Sequence, residues 1–112
     1  MGIQNLLGRF GAAAAACDTA AFAALFTEDG CYDDGFFGLH RGREAIAAML
    51  ARFHVGGEQF RWQFHEPLAS DTLAYTRYVF SYRSKEPGSA RALVGFEGMA
   101  RLRLRGGLIA DY

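Results

Sequence analysis

The chain has 112 residues, 51% of them apolar and 14% aromatic, and its twelve basic and twelve acidic side chains cancel. That composition excludes a disordered tail and predicts one domain over residues 1–112 with a sizeable core. Balanced charge gives no electrostatic pull on nucleic acid or an anionic membrane surface, so neither is expected as a partner.

Cys17 and Cys31 fall in different predicted elements, with no CxxC pair and no cysteine–histidine cluster. A structural zinc site is not expected, and both read as small buried hydrophobes. The run Ala12–Ala16 is too short to span a membrane and lacks the charged leader of a signal peptide. A reducing, cytoplasmic setting is the expectation.

Ile3 to Cys17 reads as a helix, with Ile3, Leu6, Leu7 and Phe10 at helical spacing and an alanine run that continues it. Asp18 or Thr19 caps a second, shorter helix, whose apolar side is Phe22, Leu25 and Phe26 and whose end is Asp29-Gly30. Cys31 and Tyr32 begin a short strand. Gly35 and Gly38 allow a tight turn around Phe36 and Phe37. A third helix runs from Arg43 to about His54, with Ile46, Met49, Leu50 and Phe53 on one side and Gly56-Gly57 beyond its end.

The hydrophobic period then changes from about 3.6 to 2. Gln59 to Leu68 alternates, with Phe60, Trp62, Phe64 and Leu68 on one face. Leu73 to Arg83 places Thr76, Tyr78, Phe80 and Tyr82 together. Glu86-Pro87-Gly88 is a hairpin turn. Ala90 to Leu104 puts Val94, Phe96, Ala100, Leu102 and Leu104 on its even face, and Leu108 to Tyr112 is the last strand. Three helices followed by an antiparallel meander predict an α+β fold, helices packed on one side of a curved sheet. The other sheet face carries Tyr75, Leu93 and Met99 among charges, which predicts a partner subunit there. Arg77 and Glu97 read as a salt bridge on that face.

The chain resembles the nuclear transport factor 2-like superfamily in LFTEDGCYDD, HRGREAI, the strand YVFSY and the closing RGGLIADY, over essentially its whole length. That group includes ketosteroid isomerases, limonene epoxide hydrolases and polyketide-cyclase-like proteins. The resemblance implies a cystatin-like cone enclosing an apolar pocket, often a homodimer through the outer sheet face. It is specific for the fold and carries less about activity.

Carried over residue by residue, the isomerases' general-base aspartate falls at Asp34. Their oxyanion-hole tyrosine falls at Phe10, and their second aspartate at or near Ala100; neither side chain can donate a hydrogen bond. Losing one such donor costs roughly 3 kcal/mol of transition-state stabilisation, so steroid isomerisation by that route is not expected. The epoxide hydrolases' arginine matches Arg77, but the aspartate two residues on falls at Val79. The cyclases need only a carboxylate or histidine in an apolar pocket, which Asp34 and His40 can supply.

Two readings of Asp34 stand together: a base at a pocket mouth, and a turn aspartate accepting backbone amides before Gly35. Asp33 reads as outward. His40 is either a second acid–base group or a residue bonding the backbone near the start of the third helix. Glu66 shares parity with Trp62 and Phe64 and points inward unless Pro67 marks a bulge. The aromatics Trp62, Phe64, Tyr78, Phe80 and Phe96 are core residues that also line the expected pocket, with Tyr32, Phe10 and Ala100. The expected function is binding of a small apolar molecule without a cofactor or metal. With it goes isomerase-, cyclase- or dehydratase-type acid–base chemistry on a carbonyl compound at Asp34, or else a non-catalytic binding or protein-pairing role.

Overall fold

A computed structural model describes residues 2–112. The N-terminal run forms α1 (Ile3–Ala16), which buries Leu6, Leu7, Phe10, Ala13 and Ala14 on one side. Cys17 closes it in the left-handed conformation, its N–H directed at the Ala13 and Ala14 carbonyls. Asp18 then caps α2 (Thr19–Ala23) by accepting the Ala21 N–H at 3.1 Å. The remaining elements are β1 (Phe26–Asp34), β2 (Gly38–Arg41), α3 (Arg43–Gly56), β3 (Gly57–Ala69), β4 (Leu73–Ser84), β5 (Leu93–Arg105) and β6 (Leu108–Asp111).

The six strands form one sheet in the order β2-β1-β6-β5-β4-β3. Every neighbouring pair is antiparallel except β1 with β6. The helix α1 lies on β3, while α3 packs against α2 and the β1–β2 hairpin. The expected α+β architecture is therefore present, three helices on one face of a curved sheet. No described helix is long and apolar enough to cross a membrane.

The end of the second helix is corrected. It stops at Ala23, and Phe26 belongs to a strand. The Phe26 carbonyl accepts two bonds from the Arg43 guanidinium, at 3.0 and 2.8 Å, and the Leu25 carbonyl accepts the Ile109 N–H at 2.8 Å. These partners take the backbone groups a continuing helix would have used. Asp29-Gly30 is thus not a helix stop but an irregularity inside β1. The Thr27 hydroxyl, and after it the Arg105 guanidinium, hold the Asp29 carboxyl below the usual carboxylate range.

The register of β3 is corrected at its far end. Pairing with β4 shifts between His65 and Leu68, and Glu66 there has φ 55°. Pro67 has no N–H to give the ladder, so the bulge settles at the point where a hydrogen bond was already lost. It turns Glu66 outward onto Arg77, at 3.2 Å, and leaves Leu68 exposed rather than in the core with Phe60 and Trp62. Arg77 also reaches Glu97 at 3.8 Å, as its parity on the outer face predicts. Cys17 and Cys31 are unpaired and half-buried, not buried.

Gly11 is what allows α1 to sit so close to β3. A Cβ there would collide with the backbone carbonyl oxygen of Trp62, which cannot swing away as a side chain would. Gly8, one turn earlier, has open space around it. Gly11→Ala should therefore destabilise the domain by about 1–3 kcal/mol through overpacking. Gly8→Ala should be neutral or stabilising by up to about 1 kcal/mol, since it only restricts the unfolded chain and favours helix. Urea unfolding of the two variants checks this, and equal effects would mean that α1 is not held at this distance.

Candidate functional site

The inner-face aromatics do not fill the cone completely. Between the β1–β2 hairpin, α3 and the strands β3 to β5 lies a cavity of about 750 Å³, within the range of small-molecule sites. Its floor is Trp62 of β3 with Phe80 and Tyr78 of β4, and its walls include Phe53 of α3 and Phe96 of β5. The Phe80 ring lies 5.0 Å from Trp62 and 5.4 Å from Phe96, centre to centre. Tyr78 lies across Gly98 of β5, where any side chain would strike its hydroxyl. Such contacts hold the aromatic surface in one arrangement.

The cavity opens where the sheet is interrupted. Among the described residues, β6 pairs with β5 from Arg103 to Arg105. The part of β5 before Arg103 and the end of β1 thus face each other across the opening. Residues of both sheet faces meet there, including Asp33, Met99, Arg101 and Asp111. Arg101 bridges to Asp111 at 3.4 Å. Asp33 is exposed, as its outward reading requires, yet belongs to this rim.

Asp34 lies on the cavity wall in a fixed orientation. Its Oδ1 accepts the amides of Phe36 and Phe37 at 2.8 and 2.6 Å, the turn geometry expected of an aspartate before a glycine. Its Oδ2 accepts the Tyr32 hydroxyl at 2.7 Å. The turn reading of Asp34 is therefore met, and the same carboxylate borders the cavity. The Tyr32 phenol is pushed well above its ordinary value, first by burial and then by the nearby Tyr112 and Asp34. It stays protonated and keeps donating to the carboxylate.

Tyr112 completes this wall and was not among the sequence candidates. Its N–H donates to the Cys31 carbonyl at 2.9 Å, and its carbonyl accepts the Asp33 N–H at 3.1 Å. Its ring is stacked between Tyr32 and Phe10, at 5.0 and 5.2 Å. Burial, then Tyr78, pushes its phenol upward; the Trp62 indole opposes this in part without reaching hydrogen-bond geometry. The Trp62 Nε1 and Tyr112 Oη atoms are both buried without a hydrogen-bond partner. The sequence signal for Tyr112 was its place at the end of the last strand, in the closing RGGLIADY.

Of the other sequence candidates, Tyr32, Trp62, Tyr78, Phe80, Phe96 and Ala100 line the cavity. Phe10 and Phe64 do not. Phe10 is completely buried behind Trp62 and Tyr112, and Phe64 faces a separate shallow groove between α1 and β3. His40 is also outside it. It pairs with Tyr32 across the hairpin, but α3 covers it there, and its Nε2 lies 2.9 Å from the Arg52 guanidinium. Asp34 and His40 are thus not brought together on one cavity. Among the described residues, no three His, Cys, Asp or Glu side chains gather into a metal site.

Solved structures share this architecture. A protein of ketosteroid isomerase-like fold from Catenulispora acidiphila, solved in complex with trimethylamine, superimposes with a TM-score of 0.84 at 23% identity, covering 95% of this chain and 80% of its own. A candidate polyketide cyclase from Xanthomonas campestris gives 0.75 at 23% identity, with 96% and 84% covered. A cystatin-fold protein from Novosphingobium aromaticivorans gives 0.80 at 18% identity, with 99% and 95% covered. At these identities the likeness establishes the fold. No curated protein sequence matches the chain. Residues 7–112 match the SnoaL-like domain, and the chain belongs to that family, within the nuclear transport factor 2-like superfamily.

Proposed function

We propose that this SnoaL-like domain binds a small apolar carbonyl compound in its aromatic cavity and that Asp34 moves a proton on it. The observation that carries this reading is the Asp34 carboxylate, fixed on the wall of an otherwise largely aromatic cavity by Tyr32 and two amides. With Oδ1 engaged by both amides, Oδ2 is the oxygen with a lone pair left to accept a proton. A C–H proton beside the ligand carbonyl passes to Oδ2, and the electron pair moves onto the carbonyl oxygen. Return of the proton to a different carbon gives an isomerase outcome; attack of the enolate carbon on a second carbonyl of the same ligand, whose π electron pair moves onto its oxygen and takes the proton from Asp34, gives a cyclase outcome. Nothing in this step requires a cofactor. The unpaired cysteines are in keeping with a reducing, cytoplasmic setting.

The test is hydrogen–deuterium exchange at the α-carbon of 1-indanone and 2-cyclohexenone in D2O, followed by NMR. The protein should accelerate exchange, and Asp34→Asn should slow it by about 10²–10⁴-fold, the usual contribution of a positioned acid–base group. Exchange no faster than in buffer, across a set of ketones and lactones, would remove the enzyme reading.

A non-catalytic binding role is the second reading, and a specific observation favours it. Tyr32 and the two amides already satisfy Asp34 in the way a purely structural turn residue is satisfied. The Catenulispora relative was solved with trimethylamine. Aromatic walls with Asp33, Asp34 and Asp111 nearby suit a small amine through cation–π and carboxylate contacts. Under this reading trimethylammonium quenches Trp62 fluorescence while ketones exchange no protons.

The outer sheet face supports a homodimer under either reading. Tyr75, Leu93 and Met99 are exposed there beside the Glu66–Arg77–Glu97 ion pairs. Sedimentation should give a dimer at micromolar concentration and a monomer for Tyr75→Glu. A monomeric parent protein would show that this face is not a subunit interface.

A further inference from the structure

We infer that the Tyr78 hydroxyl is the hydrogen-bond donor that receives the ligand's carbonyl oxygen. The inference rests on the reading that the cavity takes a carbonyl compound, and it names the group that would recognise that oxygen.

The side-chain donors of the cavity wall can be taken one by one. The Tyr32 hydroxyl is committed to Asp34. Trp62 Nε1 and Tyr112 Oη are buried out of a ligand's reach. The Arg101 guanidinium stands on the rim, bridged to Asp111. Two hydroxyls remain, those of Tyr78 and Tyr82 on β4. Both residues are half-buried, and among the described residues neither hydroxyl has a hydrogen-bond partner or is sealed in protein. Each is free to meet something in the cavity.

Position separates the two. They lie four residues apart on one strand, a span of about 13 Å. The Tyr82 ring is stacked on Phe60, centres 5.0 Å apart, over Gly57. Tyr78 stands at the end that carries Asp34. After burial it is the next influence that raises the Tyr112 phenol. Behind burial, Tyr112 and Asp34, it also acts on Tyr32, whose hydroxyl holds that carboxylate. The Tyr78 ring is fixed in place. It pairs with Gly98 across β4 and β5, and its hydroxyl lies 2.9 Å from where a Cβ of that glycine would stand. It meets Phe96 edge to face at 6.3 Å. A phenylalanine would make the same packing contacts, so packing accounts for the ring and leaves the hydroxyl without a role. A donor locked by packing loses no orientation when a ligand arrives, which is the condition under which it stabilises a developing negative charge most. Phe10 and Ala100 bring no donor of their own, and this one comes from β4 instead. As Asp34 Oδ2 takes the α-proton, the C–H electron pair forms the new C=C bond and the carbonyl π pair moves onto oxygen. The Tyr78 O–H donates to that oxygen and keeps its own proton.

The full chain is titrated with 1-indanone and, separately, with indane, which has the same shape without the oxygen. The C=O stretch of bound indanone is read by infrared difference spectroscopy. Tyr78→Phe should weaken indanone about three- to tenfold and leave indane unchanged, as expected for one lost hydrogen bond. It should also move the bound C=O stretch to higher wavenumber and slow α-proton exchange by about 10²–10³-fold. An indanone-to-indane ratio unchanged in Tyr78→Phe, the same loss in Tyr82→Phe, or no binding of indanone by the wild-type protein would overturn the inference. The Asp34→Asn variant separates the two proposals, since it should slow proton exchange and keep the preference for indanone over indane. A wild-type protein that prefers indanone through Tyr78 but exchanges no protons would leave the donor standing and remove the acid–base role.

Discussion

The parallel pairing of β1 with β6 is the constraint on which the site depends. The two strands lie far apart in sequence, and their hydrogen bonds attach the β1–β2 hairpin to the meander. Tyr112 donates to Cys31 and accepts from Asp33, so its side chain comes to rest beside Tyr32 and, through it, beside Asp34. Without that ladder the carboxylate would stand on an isolated two-stranded hairpin, which is marginally stable at best in water. The same ladder takes the backbone groups of Leu25, and Arg43 takes that of Phe26, which is why the second helix ends where it does. One set of backbone hydrogen bonds therefore decides both an element boundary and the composition of the cavity wall.

Aromatic residues serve as core and as wall at once. Phe10 and Phe22 are fully buried and contribute stability by area, on the order of 1.5–3 kcal/mol per side chain. Trp62 and Phe80 are buried to nearly the same degree, yet each has one side on the cavity. Phe96 is more exposed because the helices do not reach the first half of β5. Close packing behind these rings keeps the cavity from collapsing, and the approach of α1 to β3 at Gly11 supplies that backing. The polar groups of the site are set into this frame: Tyr32 is bonded to Asp34, while Trp62 Nε1 and Tyr112 Oη have no hydrogen-bond partner.

Much of this was legible in the chain. The change of hydrophobic period after Gly57 marks the passage from helices to meander, and the parity of β4 and β5 sorts core from surface correctly through Tyr78, Phe80, Ala100 and Leu102. Asp34 stood out because a carboxylate sits among aromatics before a glycine turn. Glu66 shows the limit of parity. The alternation put it inward, and the bulge at Pro67 put it outward on Arg77. His40 shows another limit: read ahead of the third helix as a backbone partner or an acid–base group, it lies instead on β2, with its Nε2 beside the Arg52 guanidinium of α3.

The sequence by itself determined the three helices, the passage from them to an antiparallel meander and the α+β class, because these follow from local periodicity, caps and turn residues. It also determined that a carboxylate and a group of aromatics would face the same interior. Only the tertiary structure decided which of those aromatics border open space. Phe10 and Phe64 lie outside the cavity, whereas Tyr112, which local sequence presents as the tail of a short strand, lies on its wall. The reason is physical: periodicity reports which face of an element is buried. Whether that face meets another side chain or a cavity depends on contacts between elements distant in the chain, here α1 on β3 and β1 beside β6.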